Sequence, residues 1–176
     1  MSLGLRLRSL VQNPYRLLSD VGVARGHVFM DVGCGGGFLS IAAARMVGEE
    51  GLVYAVDVKN ERLESVRNLA IRLGLRNIKT LMTPAEVLDG VPEQSVDRAV
   101  LMFSLHHFAD IRAALRQIRR RLKPSGLTLI IDPIASRLLG HGTNPQQIIP
   151  LLDDAGMQPT YVRKGILLWK TIVKPT

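Results

Sequence analysis

Short apolar segments alternate with stretches whose apolar residues recur at helical spacing along the whole 176-residue chain, and this alternation restricts the fold more than any other feature. His27 to Gly33 is apolar and ends in glycine, and Phe38 to Met46 follows as a helix that stops at Gly48. Leu52 to Val58 is β-branched and apolar. Asn60 is then expected to cap a helix carrying Leu63, Val66, Leu69, Ala70 and Leu73 on one face, ended by Gly74. Asn77 to Met82 reads as a third strand and Val96 to Leu105 as a fourth, before a helix over Ile111 to Leu122 and a turn at Lys123-Pro124-Ser125-Gly126. Leu127 to Asp132 is a fifth strand, Asn144 to Ala155 a helix closed by Gly156, and Thr160 to Val173 two strands bending at Lys164-Gly165. Five apolar strands separated by helices bury both faces of a sheet only when helices lie on both sides, so an α/β fold with a mostly parallel sheet is predicted.

At roughly 150 residues per domain the chain has room for one. The division expected is an N-terminal segment over residues 1–26 and a domain over residues 27–176. With 47% hydrophobic and 22% charged residues it can fill a core without disulfides or metal, which excludes intrinsic disorder. Apolar runs such as Ile41 to Ala44 and Ala99 to Phe103 are far short of the ~18 residues that cross a bilayer, so no membrane span is expected. Met1 to Arg8 lacks the apolar core of a signal peptide, and Cys34 is the single cysteine; both fit a cytoplasmic location. Basic residues outnumber acidic ones 23 to 15, a net charge of +8 that suits phosphate-bearing or anionic partners. Aromatics at 5% provide no series of stacking platforms for single-stranded nucleic acid.

In sheets of this kind ligands bind beyond the carboxyl ends of the strands. The candidates are therefore Asp31 to Gly37, Asp57, Thr83 to Glu86, Phe103 to His107, and Asp132 to Pro133. Asp31-Val32-Gly33-Cys34-Gly35-Gly36-Gly37 puts four glycines between a strand and a helix, where bare backbone and unpaired helix N–H groups can receive a ligand. A turn needs one glycine, not four. The dinucleotide pattern Gly-x-Gly-x-x-Gly fails, because Phe38 or Ser40 occupies its third glycine position; no Lys-Ser or Lys-Thr follows to make a phosphate loop. Asp57 lies 20 residues after Gly37 at the end of the second strand, where a carboxylate can accept both hydroxyls of a ribose.

The pattern Asp31-x-Gly33-x-Gly35-x-Gly37 with Asp57 resembles the signature of class I S-adenosylmethionine-dependent methyltransferases. Val96-Asp97, Leu105-His106-His107-Phe108 and Arg121-Leu122-Lys123-Pro124-Ser125-Gly126 are similar to the ubiquinone/menaquinone-biosynthesis branch, and the likeness runs from about Asn13 to the C-terminus. The resemblance implies a Rossmann-like, seven-stranded, mostly parallel sheet with one antiparallel strand and helices on both faces. It implies S-adenosylmethionine as cofactor, S-adenosylhomocysteine as product, and methyl transfer to a small or quinone-like acceptor. Asp31, Gly33, Cys34 and Gly35 would surround the methionine part, Asp57 would hold the ribose, Val58 would flank the adenine, and Phe103 and Ser104 would lie beside the transferred methyl. Family members often carry an acid followed by alanine after the third strand. Pro84-Ala85 stands there, so Glu86, a backbone carbonyl or apolar packing would meet the adenine amine.

Methyl transfer from a sulfonium chiefly needs proximity, alignment and a dry pocket, with a general base only where the acceptor must lose a proton. His106 is the first candidate base and Asp132 the second. His27, His106, His107 and His141 are too scattered for a recognised metal spacing, and adjacent histidines on an extended segment point to opposite sides, so no metal is expected. The fourth strand lacks the Asp/Asn-Pro-Pro-Tyr ending of branches that methylate base amines or glutamine amides. Arg112, Arg116, Arg119, Arg120 and Lys123 form either a solvated helix face or a surface for a phosphate-bearing acceptor, RNA included, or a membrane-associated one. About 26 residues precede the first strand and about 11 separate the fifth strand from the next helix, which leaves little chain for a lid. An open site, a large acceptor, a homo-oligomer or a partner subunit would follow. A cofactor-binding subunit without catalysis is the alternative from another class, and a nicotinamide-dependent oxidoreductase a third.

Overall fold

The computed structural model describes residues 13–135 and 141–176. Its strands are β1 (Val28–Val32), β2 (Leu52–Asp57), β3 (Ile78–Met82), β4 (Val96–Met102), β5 (Leu122–Pro133), β6 (Met157–Lys164) and β7 (Leu168–Pro175). The helices are α1 (Pro14–Asp20), α2 (Phe38–Val47), α3 (Asn60–Arg72), α4 (Ile111–Arg121) and α5 (Pro145–Asp154), with a single 3₁₀ turn at Leu105–His107. They build one seven-stranded sheet of order β3-β2-β1-β4-β5-β7-β6, parallel except for β7, which runs antiparallel to both β5 and β6. This is the expected fold class, including the single antiparallel strand.

The period-2 alternation of β1 divides the core. Phe29 packs with Leu18, Leu39, Ala43 and Val47 on the face covered by α1 and α2, while Met30 and Val32 pack with Leu115, Ile118 and Leu152 on the face covered by α4 and α5. Asp31 shares the first face, which carries its carboxylate toward the start of α2. Leu63 and Val66 of α3 close the same side against Ala55 and Cys34. Each such Leu, Val or Phe removed from water contributes about 1.5–3 kcal/mol, so the strands are held from both sides and their ends form a rigid platform.

Several local expectations are corrected. Asn60 is the first helical residue of α3; the cap is Lys59, which makes no side-chain cap, and the Asn60 amide instead donates to Glu64 Oε1 at 2.8 Å. β4 stops at Met102 because Phe103 adopts φ 57°, a left-handed conformation that turns the chain out of the sheet and lets the histidines enter the 3₁₀ turn. Lys123 to Gly126, expected as a turn before the fifth strand, instead lie within β5 as a bulge, since Val96 pairs with Leu122 and Arg98 already pairs with Leu127. β6 begins at Met157, three residues before the Thr160 expected from the sequence.

Candidate active site

The carboxyl ends of the parallel strands and the loops that follow them surround one cleft of about 990 Å³. Asp31, Gly33, Cys34, Gly35, Asp57, Val58, Ala85, Phe103, Ser104 and His106 all line it. The sequence therefore named residues that the fold brings together. Lys59, Arg62, Phe38 and Met102 line it too, with no sequence signal to mark them beyond their nearness to the glycine loop and the strand ends.

Glycine is required at two places for opposite reasons. A Cβ on Gly33, at φ +75°, would sit 2.4 Å from the Ser104 Cβ, so the loop and the end of β4 touch only because that atom is missing. Ser104 is fixed there by donating to the Val32 carbonyl at 2.8 Å. Gly35, at φ +52°, has nothing within 4 Å of the Cβ position, and the same openness holds at Gly36. Here the bare backbone faces the cleft itself.

Asp57 couples the loop to β2. Its Oδ2 accepts from the Gly35 N–H at 2.9 Å and its Oδ1 from the Lys59 N–H at 3.0 Å. A carboxylate has about four acceptor sites, so each oxygen keeps a lone pair beyond the bond that orients it. Asp31 is 3% exposed and accepts from the Ser40 hydroxyl at 2.6 Å. Burial, opposed by the Ser40 hydrogen bonds and reinforced by the negative charge of Asp57, pushes its carboxyl up to about 6. Burial also drives the Cys34 thiol far above its ordinary range, with Asp31 and Asp57 adding to the effect, which disfavours the thiolate form.

After β3, the Pro84 carbonyl accepts from the N–H groups of Val87 and Leu88 at 3.1 and 3.0 Å, which makes a helical turn. Glu86 lines the cleft, but its Oε1 accepts from the Asp110 N–H at 3.1 Å and braces the start of α4. Val58 is 61% exposed beside this wall, an unusual exposure for a β-branched apolar residue at a strand end.

The histidines are not scattered as their spacing suggests, nor do His106 and His107 point apart. In the 3₁₀ turn their ring centroids are 4.0 Å apart, and His141, which lies 35 positions after His106 in sequence, comes within 5.3 Å of it. All three line the cleft; His27 is at the opposite end of the sheet, next to β1. His106 Nδ1 is 2.9 Å from Asp132 Oδ1, a contact between side chains 6% and 0% exposed. Burial, with a smaller contribution from His106, lowers the pKa of His107. Among the described residues no group of three or more His, Cys, Asp or Glu could hold a metal ion.

The basic face of α4 is largely spent on the protein itself. Arg112 and Arg116 both pair with Asp154 of α5, Arg120 pairs with Glu93 at 2.6 Å, and Arg119 donates to the Gly156 carbonyl at 3.1 Å. Lys123 reaches Asp97 at 2.8 Å, and Asp97 also accepts from the Val28 N–H at 2.9 Å. That pair braces the amino end of the sheet, away from the cleft. No helix among the described residues is long and apolar enough to cross a membrane.

The sequence model of a methyltransferase domain matches residues 29–126. A demethylmenaquinone methyltransferase of Geobacillus stearothermophilus is 31% identical over 124 residues, covering 70% of this chain and 53% of that protein. A ubiquinone/menaquinone biosynthesis C-methyltransferase UbiE of Pseudoalteromonas translucida is 34% identical over 116 residues, covering 65% of this chain and 46% of that one. The chain thus spans about half the length of the curated relatives it matches. The crystal structure of a SAM-dependent methyltransferase from Aquifex aeolicus superposes with a TM-score of 0.80 at 27% identity, covering 93% of this chain and 90% of the other. The match from β1 through the bulge in β5 spans more than half of the chain and includes the glycine loop and Asp57, and on that ground the chain belongs to the methyltransferase domain family.

Proposed function

We propose that the cleft binds S-adenosylmethionine and that the chain transfers its methyl group to a small acceptor. The observation that carries this reading is the coupling of Asp57 to Gly35: one carboxylate shapes the loop and still offers a lone pair on each oxygen to a vicinal diol, against backbone that no side chain covers. The residues fit the cofactor elsewhere too. Asp31 supplies negative charge for a cationic methionine moiety, Gly33 and Cys34 form the wall beside it, Phe103 and Ser104 flank the methyl end, and Val58 and Ala85 offer apolar surface to the adenine. When bound, the cofactor supplies a methyl group on a positively charged sulfur, already activated toward a nucleophile. The chain's own task is to hold that methyl in line with an acceptor and keep water out.

A quinone-like or other small acceptor is favoured by the relatives, two of which are named for menaquinone or ubiquinone biosynthesis. RNA is the weaker candidate because the arginines that suggested it are engaged with Asp154 and Glu93. The buried, lone Cys34 suits the reducing cytoplasm, which we include in the proposal. Native mass spectrometry of the purified chain, mixed in turn with S-adenosylhomocysteine and NAD, tests the cofactor. A one-to-one complex with the former and none with the latter is expected; a complex with NAD alone would overturn the reading. A chain that binds S-adenosylhomocysteine yet methylates neither phenols nor hydroquinones would instead be a cofactor-binding subunit.

A further inference from the structure

Beyond the cofactor pole, a buried chain of hydrogen bonds ends on His106. The Trp169 indole Nε1 donates to Thr143 Oγ1 at 2.9 Å, Thr143 Oγ1 lies 2.8 Å from Asp132 Oδ2, and Asp132 Oδ1 lies 2.9 Å from His106 Nδ1. Trp169, Thr143 and Asp132 are 0%, 6% and 0% exposed. Asp132 and Trp169 face each other across the antiparallel β5–β7 pair, and Thr143 bridges to Ile134 just past the end of β5.

The donors fix the polarity of every link. An indole N–H can only donate, so Thr143 Oγ1 accepts from Trp169 and has its own proton left to give. Asp132, as a carboxylate, takes that proton's hydrogen bond on one oxygen and requires a second donor on the other. His106 therefore presents Nδ1–H to Asp132, and its one remaining lone pair sits on Nε2. The ring lines the cleft, and among the described residues no hydrogen bond occupies Nε2.

We infer that Trp169, Thr143 and Asp132 lock His106 into the tautomer of a general base, and that the acceptor is one that must shed a proton, a phenol-like or hydroquinone-like hydroxyl. This rests on the cofactor reading above for the methyl source. His106 Nε2 takes the hydroxyl proton while the acceptor oxygen, rather than a carbon as in the relatives named C-methyltransferases, forms its bond to the methyl carbon; the electron pair of the broken carbon–sulfur bond stays on sulfur. The imidazolium that results faces the Asp132 carboxylate, which compensates the charge where it develops. His106 is the catalytic residue of this scheme, and Asp132, Thr143 and Trp169 are positioning residues.

Long-range ¹H–¹⁵N correlation spectra of the protein without any ligand test the relay directly. Wild type should show His106 protonated on Nδ1 and bare on Nε2. In Asp132→Asn the Thr143 hydroxyl still needs an acceptor, so the new amide turns its oxygen to Thr143 and its N–H₂ to His106, and the proton should move to Nε2. Thr143→Val, which keeps the carboxylate, should leave the proton on Nδ1. An Nε2–H tautomer in wild type, or an Asp132→Asn variant that keeps Nδ1–H, would overturn the inference. S-adenosylhomocysteine binding, read by calorimetry on the same samples, should change less than threefold in Asp132→Asn, on the order of 0.6 kcal/mol or less. If wild type fails to bind it, the cofactor reading falls while the tautomer result stands on its own spectra.

Discussion

The two ends of the cleft are built by different means. At the first, the ligand-facing surface is mostly backbone and two acids, supplied by β1, the loop after it and the end of β2 within residues 31–58, with Ala85, Phe103 and Ser104 closing it from the turns after β3 and β4. At the second, the surface is side chains, brought from the 3₁₀ turn after β4, the end of β5, the stretch before α5 and the start of β7, which lie as far apart as His106 and Trp169. The family match ends at residue 126 and so takes in the whole first end but, of the relay, only His106. Under the proposed reading, the cofactor lies mostly against one contiguous stretch, from Asp31 to Val58. The relay proposed for the acceptor draws Asp132, Thr143 and Trp169 from beyond the matched residues.

The largest effect that sharpens this contrast is expected at Gly35. Gly35→Val would force a β-branched residue to φ +52° and fill the space where the backbone now lies bare. S-adenosylhomocysteine affinity should fall at least about 100-fold by calorimetry, roughly 2.7 kcal/mol, with His106 still protonated on Nδ1. A shifted tautomer in this variant would show that the two ends are not independent.

A smaller effect, of opposite sign on stability, is expected at Asp31. Its folded pKa of about 6 lies above the ordinary 3.8, so the folded state binds this proton more tightly than the unfolded state. Its contribution is therefore fully favourable below about pH 4 and is lost as pH rises toward 6, beyond which ionised Asp31 costs stability. Asp31→Asn removes that dependence. The variant should be more stable than wild type at pH 7 by up to about 3 kcal/mol in urea unfolding, an advantage that shrinks as pH falls through 6 to 4. It should also bind S-adenosylmethionine about tenfold more weakly, because a charge-assisted contact becomes a neutral one. An unchanged stability difference between pH 4 and 7 would show that Asp31 is not held as a strained acid.

How much was legible follows the same division. The strand–helix alternation and the glycine loop are local patterns, and they led to the mostly parallel sheet, the loop and Asp57, while the single antiparallel strand and the roles of Val58, Phe103 and Ser104 came with the family resemblance. Asn60 misled because its side chain suits a cap, whereas Glu64 one turn on offered it a better partner inside the helix. The end of β4 misled because Ala99 to Phe103 is apolar without a break, and only the left-handed turn at Phe103 ends the strand. His106 was visible as a candidate, but its partners were not. Asp132 was one acid among several at strand ends, and nothing about Thr143, Trp169 or His141 in sequence announces that the antiparallel return of β7 and the stretch before α5 deliver them to the same place. Helical periodicity likewise put five cations near one another on α4 and the bulge after it without revealing that Asp154, Glu93 and Asp97 had been placed to meet them.

The central claim is that Asp57 serves loop and ligand at once, and titration calorimetry of wild type and Asp57→Ala with S-adenosylhomocysteine tests it most directly. Removing the carboxylate deletes two charge-assisted acceptor positions, each worth about 1.5–3 kcal/mol, and releases the Gly35 N–H. Wild type should bind and the variant should bind at least about tenfold more weakly while remaining folded, with NAD giving no comparable heat in either. An Asp57→Ala variant that binds S-adenosylhomocysteine as wild type does, or a wild type that binds NAD tightly, would contradict the account.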